Sequence, residues 1–284
     1  MFDTPDNAAL DGVVSLRKSE RMPVLFVGHG SPMNAIGDNE YRRSWQALGA
    51  EFGAKWPLPQ LILCISAHWL TKGWWLTAME QPKTIHDFGG FPQELFDQQY
   101  PAPGDAAAAR AISLLVRQRG SRPLGLDVAE WGLDHGAWSV LKPMFPLADI
   151  PVIQLSMDYA RGPQDHYALA RQLKTLRDRG VLIVGSGNIV HNLGQMQRGA
   201  SASQAYDWAL EFDQTMGGYL QQGNLDALQN FQTLGQLAKM AHPTHEHFLP
   251  LLYAAGAVDA REPMRFFNTS FEGGAISMRS AVWG

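Results

Sequence analysis

Four short apolar runs stand out along the chain: "PVLFVGHG" (23–30), "QLILCISAHW" (60–69), "IPVIQLSM" (150–157) and "VLIVGSGN" (181–188). Each is apolar at successive positions and ends on glycine or polar residues, which predicts strands covered on both faces, as in a parallel sheet between helices. Weaker strand patterns occupy "WLTAME" (75–80), "LGLDVA" (124–129), "MRFFN" (264–268) and "AISMRSAVW" (275–283), the last two spaced as a hairpin at a sheet edge. Between strands, "DAAAARAISLLVRQRG" (105–120) opens on a capping aspartate and stops at glycine. "PQDHYALARQLKTLRDRG" (163–180) opens on a proline and stops likewise. Further helical patterns span 203–222, 225–240 and 244–255. Strand and helix in alternation predict a three-layer α/β/α fold with a largely parallel or mixed central sheet in a single domain. The stretch "KTIHDFGGFPQELFDQQYPAPG" (83–104) follows neither period, and so long a loop in a compact domain predicts a lid or binding loop, with an Ω-loop that merely covers the core as the alternative.

The 284 residues are 45% apolar and 18% charged, a balance that supports one sizeable core. A net charge of -4 with dispersed Lys and Arg offers no basic stripe for a phosphate backbone, which argues against nucleic acid. The single cysteine, Cys64, falls inside a strand pattern and reads as a packing residue rather than a nucleophile. One cysteine, no signal-peptide pattern and no apolar run of about 18 residues predict a cytoplasmic protein without a membrane partner. Residues 1–20 read as a loosely ordered extension and 21–284 as the domain.

Candidate chemistry lies in the nine histidines. His29, His68 and His191 each fall at or just past the end of a predicted strand, where ligands collect in open α/β sheets. Glycines beside them, in "GHGSP" and "GSGN", permit tight turns and close backbone approach. Converging imidazoles repel when protonated, so convergence predicts a divalent metal. His135, in "EWGLDHGAWSV", is either a polar group in a pocket walled by Trp131 and Trp138 or a helix-start residue bonded to backbone. His86 reads as loop architecture and His166, on a helix rich in Lys and Arg, as solvent-exposed. In "HPTHEHF" (242–248), Thr244 reads as an N-cap, with His245, Glu246 and His247 as the first helical residues. Successive helical residues diverge by about 100°, so one metal does not take both His245 and His247, and the pattern alone does not choose among His242, His245 and His247.

Seven ordered motifs resemble those of the 4,5-DOPA extradiol dioxygenase family, within the class III extradiol ring-cleavage dioxygenases. They are "RMPVLFVGHGSPMNAI", "ISAHW", "TIHDFGGFPQELF", "YPAPG", "WGLDHGAW", "GSGNIVHNL" and "HPTHEHFLPLLYAAGA". The resemblance runs from about residue 21 onward and implies one catalytic domain over 21–284. It implies that His29, His68 and His247 are metal ligands, and that His191 is a fourth ligand or an acid/base. His135 resembles the family's histidine that contacts substrate or moves protons, which makes His135 and His191 the catalytic candidates. The implied cofactor is one divalent metal ion, Fe(II) for dioxygenase activity or Zn(II) as bound. The implied reaction is extradiol cleavage of a catechol such as L-DOPA, inserting both atoms of O2, by a monomer or small homo-oligomer. Phe88 and Phe91 of the loop, with Trp131 and Trp138, either wall the ring site or belong to the core. His245 replaces a proline usual in the family and is expected at the surface, and Glu246 is not expected to be a ligand. A zinc hydrolase and a non-catalytic metal-containing binding protein are the alternative readings of the same residues.

Overall fold

In the computed structural model, which describes residues 10–284 apart from 119, 198, 200–203 and 260, a six-stranded sheet runs through the centre. Its strands are β1 (Val24–Gly28), β2 (Leu61–Ser66), β3 (Val152–Gln154), β4 (Val181–Gly187), β5 (Met264–Phe267) and β6 (Ser280–Trp283). The spatial order is β5-β6-β1-β4-β2-β3. β1, β4, β2 and β3 are mutually parallel, whereas β6 runs antiparallel to β1 and β5 antiparallel to β6. The sheet is therefore mixed, with the expected C-terminal strand pair at one edge. Between β5 and β6 a small hairpin pairs Phe271–Glu272 with Ile276–Ser277.

The main helices are α1 (Glu40–Glu51), α2 (Ala106–Leu115), α3 (His135–Met144), α4 (Pro163–Leu173), α5 (Asp207–Gln222) and α6 (Leu249–Gly256). Strand residues alternate between two apolar layers. Val24 and Phe26 of β1 and Val181 and Ile183 of β4 pack with residues of α2, α4, α5 and α6. Leu25, Val27, Leu182, Val184 and Cys64 face the other way, against Trp45 of α1 and Trp138 and Leu141 of α3. The Cys64 thiol is fully buried and burial pushes its pKa up, so it is a packing group.

Several boundaries differ from the sequence pattern. α1 lies where no element was expected, capped by the Asn39 side chain on the Arg42 N–H and burying Tyr41, Trp45 and Leu48. The pattern over 225–240 is three short helical turns, Leu225–Gln229, Phe231–Leu234 and Gln236–Ala241, separated at Asn230 and at Gly235. The last helix begins at Leu249, with Pro250 in its first turn, so Thr244 caps no helix and His245 to His247 lie in the turn before it. The expected helix start at 203 falls outside the described residues, and the helix expected to run to Gly120 ends at Leu115, where Val116 turns to extended backbone.

His166 is fully buried rather than exposed. It shares the inner face of α4 with Pro163, Leu169, Ala170 and Leu173 and bonds through Nδ1 to the Tyr253 hydroxyl at 2.7 Å. Of the segment expected to be loosely ordered, residues 1–9 lie outside the described residues. From residue 10 it packs on the domain: Leu10 and Leu16 are fully buried, and Asp11 pairs with Arg179 at 2.6 Å. Among the described residues no helix is long and apolar enough to cross a membrane.

Candidate active site

The parallel register sets the carboxyl ends of β1, β4 and β2 side by side, Gly28 opposite Gly187 and Ser186 opposite Ser66. The ladder continues one step further, His29 N–H donating to Gly187 O at 3.1 Å and Ala67 N–H to Ser186 O at 3.0 Å. His29 and His68 therefore leave β1 and β2, the two strands that flank β4, at one level, with their Nε2 atoms 3.2 Å apart. His247 joins them from the turn before α6. That turn lies on the end of β4, where Asn188 N–H donates to His247 O at 2.9 Å and a Cβ on Gly187 would stand 2.2 Å from the same oxygen. Only glycine allows this approach. One ring nitrogen from each of His29, His68 and His247 lies within 4.8 Å of the other two.

The hydrogen bonds around these rings fix where their protons are. The Ser186 hydroxyl donates to Gly136 O at 2.5 Å, so its contact with His29 Nδ1 at 3.0 Å requires His29 to donate. His247 Nδ1 lies 3.1 Å from the Glu246 carboxylate, and His68 Nδ1 lies 3.3 Å from Asp87 Oδ2. Carboxylates only accept, so both rings present an Nδ1–H there and keep a bare Nε2 lone pair. Three imidazoles thus turn proton-free nitrogens toward one another with no donor between them. Such a set fits a divalent cation, and the outer partner on each ring is what metal-bound histidines require.

Electrostatics point the same way. Burial first, and then the charges of His68 and His247, hold the His29 pKa well below the ordinary imidazole range. Burial followed by His191 does the same for His247. His68 is lowered to about 4 by burial and His135, against the opposing pull of Asp134, Asp87 and Glu246. These rings are neutral at pH 7, the state in which imidazole binds a metal.

His135 opens α3 behind its N-cap Asp134. Its ring lies 3.9 Å, centroid to centroid, from His68, and its Nδ1 sits 2.9 Å from Asp87 Oδ1. The same carboxylate oxygen accepts the His135 backbone N–H at 2.9 Å. Burial pushes the Asp87 carboxyl up, and the hydrogen bonds and charge of His135, with His68, more than offset it and hold it at about 2. Asp134 is fully buried and accepts from Ser66 Oγ at 2.6 Å, Gln154 Nε2 at 2.7 Å and Trp131 Nε1 at 3.2 Å, which ties α3 to the end of β2. His191 is half-buried and stacks face to face on His247, centroids 3.5 Å apart and planes 5° from parallel. It groups with Glu246 and His247 rather than with the three converging nitrogens.

Other candidates fall elsewhere. His242 is buried among Phe212, Phe231 and Phe248 and bonds through Nε2 to Ile189 O at 2.6 Å, which fixes the backbone just before His191. His245 is half-buried beside the site and belongs to none of the converging groups. His86 bonds to Gln98 O at 2.9 Å, within its own loop. Phe88 stands edge-on to His135 at 5.6 Å and Phe91 packs 5.3 Å from Phe88, so the loop does bring aromatics to the site. Trp138 is instead fully buried beneath the loop, its Nε1 donating to Ile85 O at 2.9 Å. Trp131 stacks on Trp69 and lines a separate groove of about 360 Å³ with Trp75, Leu126 and Val128. Neither indole walls the space between the histidines. The sequence reading gave Asp87 and Asp134 no role. Their one signal was an acidic residue beside a histidine, in "HD" and "DH".

The family described as the catalytic LigB subunit of aromatic ring-opening dioxygenase matches residues 23–277. The chain is 46% identical over 272 residues to a 4,5-DOPA dioxygenase extradiol of Escherichia coli K12, covering 95% of this chain and 97% of that one. To the protein of the same name from Beta vulgaris it is 36% identical over 260 residues, covering 90% and 94%. A crystal structure of an uncharacterized Escherichia coli K12 protein superposes with a TM-score of 0.77 at 40% identity, covering 93% of this chain and all of that one. Similar in sequence and fold over nearly its whole length, the chain belongs to the 4,5-DOPA extradiol dioxygenase family and is an extradiol aromatic ring-opening dioxygenase.

Proposed function

We propose that the chain holds one divalent metal ion on His29, His68 and His247 and opens the ring of a catechol such as L-DOPA beside its diol, using both atoms of O2. The observation that carries this reading is the set of three imidazoles whose Nδ1 atoms stand against Ser186, Asp87 and Glu246 and which each bring a ring nitrogen within 4.8 Å of the other two. Iron, when bound, supplies Lewis acidity toward the catechol oxygens and the redox chemistry that dioxygen requires. His135, alongside His68, takes a phenolic proton on the ring nitrogen turned away from Asp87, a task suited to imidazole near neutral pH. His191, stacked on His247, offers a second proton acceptor at the rim. Phe88 and Phe91 cover the His135 side and keep water from the ring.

The test is oxygen consumption by protein loaded anaerobically with iron, offered L-DOPA and simpler catechols. Uptake with a yellow ring-opened product is expected. No uptake across the panel, with iron occupancy verified, overturns the reading. An all-nitrogen donor set also suits zinc, which activates water rather than dioxygen. Zinc-loaded protein is therefore assayed on esters and amides in parallel, and turnover there alone moves the assignment to a hydrolase.

A further inference from the structure

Asp87 comes from the irregular loop, yet its carboxylate reaches two different histidines. Oδ2 lies 3.3 Å from His68 Nδ1, and Oδ1 lies 2.9 Å from His135 Nδ1 while accepting the His135 backbone N–H. We propose that Asp87 is a positioning residue that holds both rings as Nδ1–H tautomers and supplies part of the negative charge that three neutral imidazole ligands do not. The proposal rests on the metal assignment to His29, His68 and His247.

Two arguments lead there. The first is tautomeric: a neutral imidazole has one ring proton, and although the Asp87 oxygens stand out of line for a full hydrogen bond to the His135 ring, their charge beside both Nδ1 atoms favours the proton there. Nε2 of His68 is then free toward His29, and Nε2 of His135 is free to take a proton. A charged acceptor does this about twice as strongly as a neutral one. The second argument is charge. A dication on three neutral rings would keep its full charge in a largely buried site, and partly buried Asp87 and Glu246 each set an anion against a ring of the set. The loop thereby contributes charge to the centre as well as aromatic cover.

The test compares wild type with Asp87→Asn, Asp87→Ala and Asp87→Glu, each zinc-loaded. Asparagine still offers an oxygen to the His135 backbone N–H, so the loop keeps its anchor while the charge is lost. Zinc transfer to a competing chelator is expected to show affinity reduced about 10- to 100-fold in Asp87→Asn, with part of the loss recovered in Asp87→Glu. Nitrogen NMR of labelled imidazoles is expected to show His135 with its proton on Nδ1 in wild type and mixed tautomers in Asp87→Asn. In iron-loaded protein, kcat for a catechol falls while KM changes little. Unchanged zinc affinity and tautomer in Asp87→Asn overturn the proposal. So does an Nε2–H tautomer for His135 in wild type, a measurement that stands even where the variants do not fold. Failure of wild type itself to retain zinc overturns the metal assignment instead, so the two failures are distinguishable.

Discussion

Substituting Gly187 by alanine tests whether the contact between β4 and the His247 turn sets the geometry of the site. Gly187 is not among the residues with positive φ, so alanine suits its backbone and the effect is steric alone. The added Cβ would lie 2.2 Å from His247 O and 3.1 Å from Pro250 Cγ, where ordinary contact begins at 3.4 Å. The turn must therefore retreat by about 1 Å, because neither the carbonyl nor the closely packed core around it can yield. The same carbonyl accepts the Asn188 N–H, so the retreat also stretches the bond that docks the turn. Overpacking of this kind costs about 1–3 kcal/mol of stability, and a shift of about 1 Å at a ligand-bearing turn costs about 10²-fold in turnover. Oxygen uptake gives kcat/KM, a chelator assay gives zinc affinity, and urea unfolding gives stability. Gly218→Ala is the control. Its Cβ would meet only Gln222 Nε2 at 3.9 Å on α5, so it is expected to gain about 0.5–1 kcal/mol and leave activity alone. Zinc affinity and turnover within about threefold of wild type in Gly187→Ala would refute the steric reasoning.

His166, lowered to about 4 chiefly by burial, makes the fold acid-sensitive. Below the unfolded value of 6.5 the unfolded chain takes up a proton that the native state refuses, so stability falls as pH drops from about 6.5 to 4, by roughly 3 kcal/mol for this group. Urea midpoints measured against pH should fall less steeply in His166→Gln; equal slopes would discount the burial argument. Arg177 is fully buried and bonds to Met22 O, Ala257 O and the Glu262 carboxylate. Arg177→Ala leaves that carboxylate without its cation and should cost about 3–5 kcal/mol by urea unfolding, whereas Arg177→Met combined with Glu262→Leu should cost much less. Removal of bound metal by a chelator should lower the Tm, with the loss approaching about 4 kcal/mol when free metal had stood at 1,000 times its Kd, and readdition should restore it. A Tm indifferent to metal would exclude a site on the native state.

The layered fold was legible because β1, β2 and β4 open on unbroken apolar runs and are buried at every position, a pattern that only a doubly covered strand tolerates. The same runs marked His29 and His68, since their ends were visible as glycine and serine. His247 was not legible from pattern. It sits in a turn that the string "PTHEH" disguises as a helix start, and the informative proline was Pro250, inside the first turn of α6. His166 was misread because Lys and Arg elsewhere on the helix outweighed its spacing from Pro163, Ala170 and Leu173, which is the spacing of a buried face. Asp87 and Asp134 were missed for a different reason. Each takes a partner from far along the chain, His135 for Asp87 at 48 residues and Ser66 for Asp134 at 68, and a carboxylate's role depends on which donors the fold delivers to it.

The place of β1 in the sheet also bears on how the chain comes off the ribosome. β1 is flanked by β4 and β6, which begin at residues 181 and 280, so one of its edges stays bare until more than 150 further residues are made and the other until more than 250 are. At bacterial to eukaryotic elongation rates the second edge waits on the order of ten to fifty seconds for its neighbour to emerge. Throughout that interval an apolar strand offers unpaired amides to any other nascent chain nearby, the situation that invites intermolecular pairing. Yield of native protein should therefore fall when chaperone supply is reduced, even where the stability of the finished molecule is unchanged.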